Sequence, residues 1–408
     1  MKNILLNKIS SLILTLLLFV QLIPINAKAI EIYTDMTKET MGKYILSPVK
    51  TYNMGRAGLI TYNKYNQEML IQHDELSLTG EYLYVNIDRY YNSYSKYHDT
   101  RDIYGNGWHI NYSEKLFYND DTNHFIYSRD DGSCVEFEKS KLQENGLDKW
   151  EEVLDKQGAK LDTLWLPANS LDLSKAYVKT VEGKIHRFDD LGRLIEISHD
   201  GTDYCIAISY IGKTDKINII QDPNGRQYCF EYNDNLLCTI LCRDKNGNHI
   251  LIPDGTGDTV TLQMKYLYDT HGNLINVFYP DGKIVSYGYN KAGKLNKISN
   301  IDGVTLIIEY NGQLVKQIKE VSESNRNLIK SQISIKRTSV NNATITEDSL
   351  TNTYYFDKYG YPICTDSKNI EPLKDHICDD DNNMIFSSFI ESKNMPNNTV
   401  NLQTYKCI

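Results

Sequence analysis

The chain has 408 residues, a formal net charge of −9 and only nine prolines. An acidic balance excludes a nucleic-acid binder that neutralises phosphates with Lys and Arg, and it argues against an anionic membrane surface as partner. Thirty-one tyrosines against ten phenylalanines, with 24 glycines, point to β-strands with one wet face joined by tight turns rather than to a linker.

Residues 1–29 read as a secretory signal peptide. Lys2 and Lys8 form a positive start, an apolar run follows from Ile9 to Ile23, and Ala27-Lys28-Ala29 is a small-x-small cleavage signal, with cutting expected after Ala29. The apolar run is shorter than the roughly 20 residues of a membrane span. Cleavage removes Lys2, Lys8 and Lys28 and no acid, so the mature chain is more acidic still. A secreted product with no transmembrane segment is expected.

Residues 30–138 form a Tyr-rich β module. In GEYLYVNIDRYYNS, Leu83, Val85 and Ile87 alternate with Tyr82, Tyr84, Asn86 and Asp88, which is the two-residue period of a strand. The module is expected to join the sheet that follows it. Residues 139–176 are charged and read as a connector, with a short helix expected around Lys149–Leu154.

From 177 to 365 the chain repeats itself. A shift of 21 residues lays Tyr266, Tyr268, Gly272, Leu274 and Val277 on Tyr287, Tyr289, Gly293, Leu295 and Ile298, and the register runs on to Tyr310. Two aromatics at i and i+2 share a strand face. Asp269 and Gly272 supply turn chemistry, since Asp caps the local backbone and Gly accepts a positive φ. The Leu after the Gly opens a second strand with an aliphatic residue three further on. Each unit is therefore one β-hairpin. Degenerate copies carry Phe188, Asp189, Gly192 and Leu194, then Asp222 to Gly225 with Tyr228, Phe230 and Tyr232, and lastly Tyr354, Phe356, Asp357 and Gly360. Irregular inserts are expected at 243–259 and 320–349. Residues 366–408, rich in Asn and Asp, lack the repeat and read as a tail. The fold class is mainly β, an extended antiparallel sheet of repeated hairpins with little helix.

Catalytic constellations are not apparent. No Gly-x-Ser-x-Gly, His-Glu-x-x-His or phosphate-cradling loop occurs, so no enzyme, catalytic residue, metal or cofactor is expected. His109 beside Trp108 reads as a sheet residue, and Cys134 shows no His partner that would make it reactive. Eight cysteines, at 134, 205, 229, 238, 242, 364, 378 and 407, suit either buried thiols or one or two disulfides. Cys238, Ile240 and Cys242 are expected on one strand face; Cys238, Cys242 and His249 lack zinc spacing. Asp244-Asn246-Asn248 and Asp254-Asp258 have oxygen ligands but not a full calcium loop. Tyr266, Tyr268, Tyr287, Tyr289 and Tyr310 should form a cross-strand ladder, either packing the sheet or exposed as a platform for sugar rings.

These residues carry a resemblance. Tyr266–Leu274, with the pattern Tyr-x-Tyr-Asp-x-x-Gly-Asn-Leu, resembles the YD repeat of the RHS (rearrangement hotspot) family. Arg89-Tyr90-Tyr91-Asn92-Ser93 followed by Gly105-Asn106-Gly107-Trp108 is similar to the N-terminal module of exported RHS proteins, and the leader suits the secreted, wall-associated bacterial branch. The resemblance implies a curled β-sheet shell. It also implies an exported, non-enzymatic scaffold, the N-terminal shell part of a contact-dependent toxin-delivery protein. The chain is expected to be a short or truncated member without a toxin domain. Expected partners are cell-wall or surface carbohydrate, which is also the binding target under an alternative adhesion role, or a separately encoded C-terminal part.

Overall fold

A computed structural model describes residues 49–365, with interruptions at 54–57, 65–66, 79–82, 94–102, 154–161, 200–201, 300–302, 340–341 and 357–361 and at positions 181, 203, 255, 313 and 326, together with 386–388 and 403–405. The expected signal peptide with its Ala29 cleavage point, and Asp357 and Gly360 of the last repeat copy, lie outside the described residues.

The first five strands form a sheet of their own: β1 (Val49–Asn53), β2 (Leu59–Asn63), β3 (Met69–Ser77), β4 (Asn86–Asn92) and β5 (Trp108–Ile110), paired in that order. The expectation that the whole N-terminal module joins the repeat sheet is therefore corrected at residues 49–110. Leu83, Val85 and Ile87 are buried as the alternation predicts, and β3 and β4 bury much of both faces, so this small sheet is an internal layer.

A long antiparallel ribbon begins with β6 (Lys115–Asn119), β7 (His124–Ser128), β8 (Cys134–Glu144) and β9 (Leu147–Glu152). It continues through β10 (Thr163–Pro167), β11 (Tyr177–Lys179), β12 (Lys184–Phe188), β13 (Leu194–His199), β14 (Cys205–Tyr210), β15 (Ile217–Gln221), β16 (Gln227–Asn233) and β17 (Leu236–Arg243). Here β18 (Leu251–Pro253) and β19 (Thr259–Thr261) leave as a separate hairpin. The ribbon resumes with β20 (Gln263–Tyr268) directly against β17. It then runs through β21 (Leu274–Phe278), β22 (Ile284–Tyr289), β23 (Leu295–Ser299), β24 (Val304–Asn311), β25 (Leu314–Ser322), β26 (Ile329–Ser339), β27 (Asn342–Glu347), β28 (Leu350–Phe356) and β29 (Pro362–Thr365). A last pair, β30 (Phe386–Ser388) and β31 (Gln403–Tyr405), stands apart in sheet pairing. Each ribbon strand pairs with the next in sequence, apart from the excursion at β18 and β19.

Two further expectations are corrected. Lys149–Leu154 is not helical where described: β9 occupies Leu147–Glu152, with Asp148, Trp150 and Glu152 buried and their neighbours less so. That two-residue period, with β8 and β10 supplying the hydrogen-bond partners on both sides, decides for strand over helix. Among the described residues the helical turn is the 3-10 turn Leu173–Lys175. The segment 320–349 is no irregular insert either, since it carries the end of β25 and all of β26 and β27 within the ribbon.

The ribbon curls because its start bonds back onto itself. Leu116 N–H donates to the Gly192 carbonyl (2.8 Å) and Leu194 N–H to the Glu114 carbonyl (3.2 Å). This seam closes β6 against the β12–β13 turn, and the pairings of the described residues leave the ribbon as a whole unclosed. Inside lie side chains from nearly every ribbon strand and from β2 to β5, in one continuous core.

Candidate functional site: the inner face of the repeat ribbon

The repeat residues meet at one recurring point. In each unit the second aromatic stands opposite the Leu-type residue that opens the next strand. These pairs are Phe188 with Leu194, Tyr210 with Ile217, Tyr232 with Leu237, Tyr268 with Leu274, Tyr289 with Leu295 and Tyr310 with Val315. One step earlier the register differs by a residue, because the second strand carries one extra residue there. That is a β-bulge, which bends the strand and leaves the local ladder open. It explains why Leu274 and Val277, or Leu295 and Ile298, are both buried although three positions apart.

The same bulge corrects the expectation for Cys238, Ile240 and Cys242. Cys238 is the extra residue, and its thiol bonds the Glu231 carbonyl at 3.3 Å, while Ile240 and Cys242 are fully buried. Burial pushes the Cys242 thiol up to about 12. Cys205, Cys229, Cys238 and Cys242 are thiols.

The turn that closes each hairpin follows from its side chains. Asp269 Oδ1 accepts from the His271 and Asn273 amides, and Gly272 takes φ +80°. Burial raises the Asp269 carboxyl, but the Asn273 side chain and the loop amides outweigh it and hold the group below its usual range. Asp189, Asp222 and Asn290 bind their own loops the same way, with Gly192, Gly225 and Gly293 at positive φ. Asp244 and Asp254, considered as calcium ligands, likewise turn onto their own loop amides.

Across units, the tyrosine hydroxyls act as staples. Tyr210 donates to the Leu194 carbonyl (2.7 Å), Tyr232 to Ile217 (2.9 Å), Tyr289 to Leu274 (2.9 Å) and Tyr310 to Leu295 (2.7 Å). Each hydroxyl therefore binds the bulge of the preceding hairpin. Tyr268 departs from the rule. The hairpin before it is followed by the β18–β19 excursion, and its hydroxyl is buried without a hydrogen-bond partner among the described residues.

The other bulge atoms bind the small sheet and the connections between its strands. Leu237 N–H donates to the Ile103 carbonyl (2.7 Å), Leu295 N–H to Tyr91 Oη (3.0 Å) and Val315 N–H to the Gln67 carbonyl (3.0 Å). Tyr62 Oη donates to the Val315 carbonyl (3.1 Å), the same kind of bond a further repeat tyrosine would make. Asn106 reaches the turn of another unit, with its side-chain amide donating to the His271 carbonyl and to Asn273 Oδ1, each at 2.9 Å.

A buried charge sits at the centre. Arg89 Nε pairs with Glu75 Oε1 at 2.6 Å, and both side chains are almost wholly buried. Arg89 Nη2 donates to Tyr287 Oη (2.8 Å), the guanidinium lies 4.1 Å from the Trp108 ring centre, and Tyr266 Oη donates to Glu75. Burial works against the Arg89 charge, but Glu75 holds it protonated. Burial raises the Tyr287 hydroxyl to about 12 despite Arg89, and Tyr91 likewise to about 12. A second polar cluster, Glu114 with Tyr127 and His186, sits beside the seam, with His186 Nδ1 2.7 Å from Glu114.

The aromatic ladder thus faces inward. Tyr266 and Tyr287 are 6% exposed, and Tyr268, Tyr289 and Tyr310 pack against the same core. Of the two readings of the ladder, packing holds and an open sugar-stacking platform at these five residues does not, because the small sheet covers them. Trp108 and His109 are buried within it. Arg89, Glu75, Tyr62 and Gln67 were not singled out as partners from sequence. The Arg89–Tyr91 and Gly105–Trp108 motifs were the available signal.

Two family models match parts of this chain. A family model for the RHS repeat matches residues 268–305, from the last residue of β20 through the second of β24. The chain carries the RHS repeat. A second model, a domain of unknown function (DUF6531), matches residues 68–137, so it spans β3 to β5 of the small sheet and the opening of the ribbon, from β6 to the start of β8. A comparison with curated proteins finds no match. Among solved structures the chain is similar to the TcdB2-TccC3 complex, with 10% identity over 75% of this chain and 24% of that one, at a TM-score of 0.25. The TcdB2-TccC3-Cdc42 structure gives 10% identity, 75% and 23% coverage, and a TM-score of 0.28. The chain spans about a quarter of the length of these solved chains.

Proposed function

We propose that this RHS scaffold is exported and non-enzymatic, and that it serves as the N-terminal shell section of a contact-dependent toxin-delivery system, with a separately encoded C-terminal part as partner. The observation that carries the reading is the use made of the repeat side chains. Tyr210, Tyr232, Tyr289 and Tyr310 join hairpin to hairpin, and the bulges bind the inner sheet, so the repeated residues serve architecture. Export through the leader and association with the cell wall belong to the same reading. The test is a competition assay between a producing strain and its deletion mutant against sensitive neighbours. Loss of contact-dependent killing on deletion, restored by the gene, supports the reading. Unchanged killing, or an intact Met1 N-terminus on the chain recovered from the cells, refutes it.

A second reading, a polysaccharide-binding surface module, draws on the outer face of β27 and β28. There Thr344 pairs with Thr353 and Thr346 with Thr351 through their hydroxyls (3.3 and 3.0 Å), beside a Tyr355 that is 37% exposed. Binding of the mature chain to a glycan array, lost in a Thr346→Val, Thr351→Val variant, separates this reading from the first.

A further inference from the structure

The small sheet meets the ribbon in order. Along one continuous stretch, Lys64 contacts Glu347 (3.2 Å) and Tyr354 Oη (3.1 Å), and the Gln67 carbonyl accepts from Val315 N–H. His73 then meets Tyr287 Oη (3.1 Å), Glu75 meets Tyr266, and the Leu78 carbonyl accepts from Arg226 (3.0 Å). Advancing from Lys64, past the end of β2, through β3 to Leu78 thus steps backwards along the ribbon, from β28 to β25, β22, β20 and the turn before β16. The return strand runs the other way. The Val85 carbonyl faces Tyr228 (3.3 Å), Arg89 meets Tyr287, and Tyr91 meets Leu295.

The two spacings agree. From Gln67 to Leu78 a fully extended chain would rise about 36 Å at ~3.3 Å per residue, and the positive φ of Gln67 and the bulge between Asp74 and Leu76 shorten this somewhat. From β25 back to β16 the ribbon takes seven strand steps, about 34 Å at ~4.8 Å each. One ribbon hairpin therefore advances by nearly the length of three residues of β3. Several of the bonds at these steps use main-chain atoms on one or both sides, so repeat units with different side chains can dock at the same stations.

We propose that the β3–β4 hairpin is an internal template on which the ribbon winds, fixing the pitch and register of each hairpin as it docks. The partner surface is the row of repeat bulges in this same chain. Because the template precedes the repeats in sequence, it is made first, and each later hairpin meets a station already formed. Tyr91 then acts at β23, and Lys64 at the far end.

The test is refolding of the full mature chain from denaturant with pulsed amide hydrogen exchange. In the wild type, amides of β3 and β4 gain protection before those of β20 to β28. Tyr91→Phe removes the acceptor for Leu295 N–H. It should slow protection of β23 to β25 about fivefold, the effect of one ordinary hydrogen bond formed in the rate-limiting step, and leave β12 to β15 unchanged. Lys64→Met should slow β26 to β28 alone, and it provides the readout if Tyr91→Phe folds poorly. Protection of β20 to β25 ahead of β3 and β4 would overturn the proposal. So would slowing of β12 to β15 as large as that of β23 to β25 in Tyr91→Phe, or equal slowing of all strands in Lys64→Met.

Discussion

Five tyrosines hold the same place in their hairpins, yet removing one hydroxyl should differ from removing the others. Tyr210, Tyr289 and Tyr310 each staple the bulge of the preceding unit, with donor–acceptor distances of 2.7, 2.9 and 2.7 Å. Deleting a buried neutral hydrogen bond costs about 1 kcal/mol, rising to ~2–3 where a partner loses its only donor or acceptor. Tyr210→Phe and Tyr310→Phe should therefore each cost about 1–2 kcal/mol. Tyr289→Phe should cost more, about 2–3 kcal/mol, because Tyr289 Oη also accepts from Trp108 Nε1 at 2.8 Å. Tyr268→Phe removes a buried hydroxyl with no hydrogen-bond partner among the described residues and so should be neutral or stabilise by up to about 1 kcal/mol. The assay is urea unfolding, comparing midpoints at a common slope. If Tyr268→Phe destabilises as much as Tyr310→Phe, the stapling scheme is wrong.

Arg89→Met should cost about 3–5 kcal/mol, because it leaves the buried Glu75 carboxylate without its cation; adding Glu75→Gln should recover part of that loss in the same unfolding assay. Gly192→Ala and Gly293→Ala share a strained positive φ worth about 1 kcal/mol, but a Cβ at 192 would land on the Leu116 carbonyl while none is near at 293. Gly192→Ala should then lower the thermal midpoint by clearly more than Gly293→Ala, and equal shifts would show that the seam yields easily. Tyr91 and Tyr287, raised by burial to about 12, lie above their unfolded value of roughly 10. Their contribution is complete below pH ~10 and is lost as pH climbs towards 12. The buried fraction of the tyrosinate absorbance should therefore appear only at pH values well above ~10, together with loss of near-UV circular dichroism, after the exposed tyrosines have ionised; complete ionisation of all tyrosines near pH ~10 with native dichroism would contradict the burial.

The hairpins were legible because their turns are written locally: Asp269 and Gly272 act within five residues of each other, and the bonds between them need no distant partner. The bulge was half legible. Leu274 and Val277 three apart do not fit a period of two, and one extra residue reconciles them; overlooking it misplaced Cys238. The helix expected near Lys149 arose from charge, while the alternation of Asp148, Trp150 and Glu152 carried the truer signal. What could not be read was the inward turn of the tyrosine ladder. It depends on Glu75 and Arg89 meeting Tyr266 and Tyr287 about 200 positions away, and a single chain without an alignment records no such pairing.

The β18–β19 excursion has a consequence for how such a chain grows. Because β17 bonds directly to β20, residues 244–262 leave and re-enter between two neighbouring strands, and the ribbon loses no rung. What is lost is one hydroxyl bond, at Tyr268. A junction of this kind is a splice point at which a gene can acquire or shed a whole decoration without shifting the frame of the rungs that follow. It is also the natural place to graft a foreign loop for display.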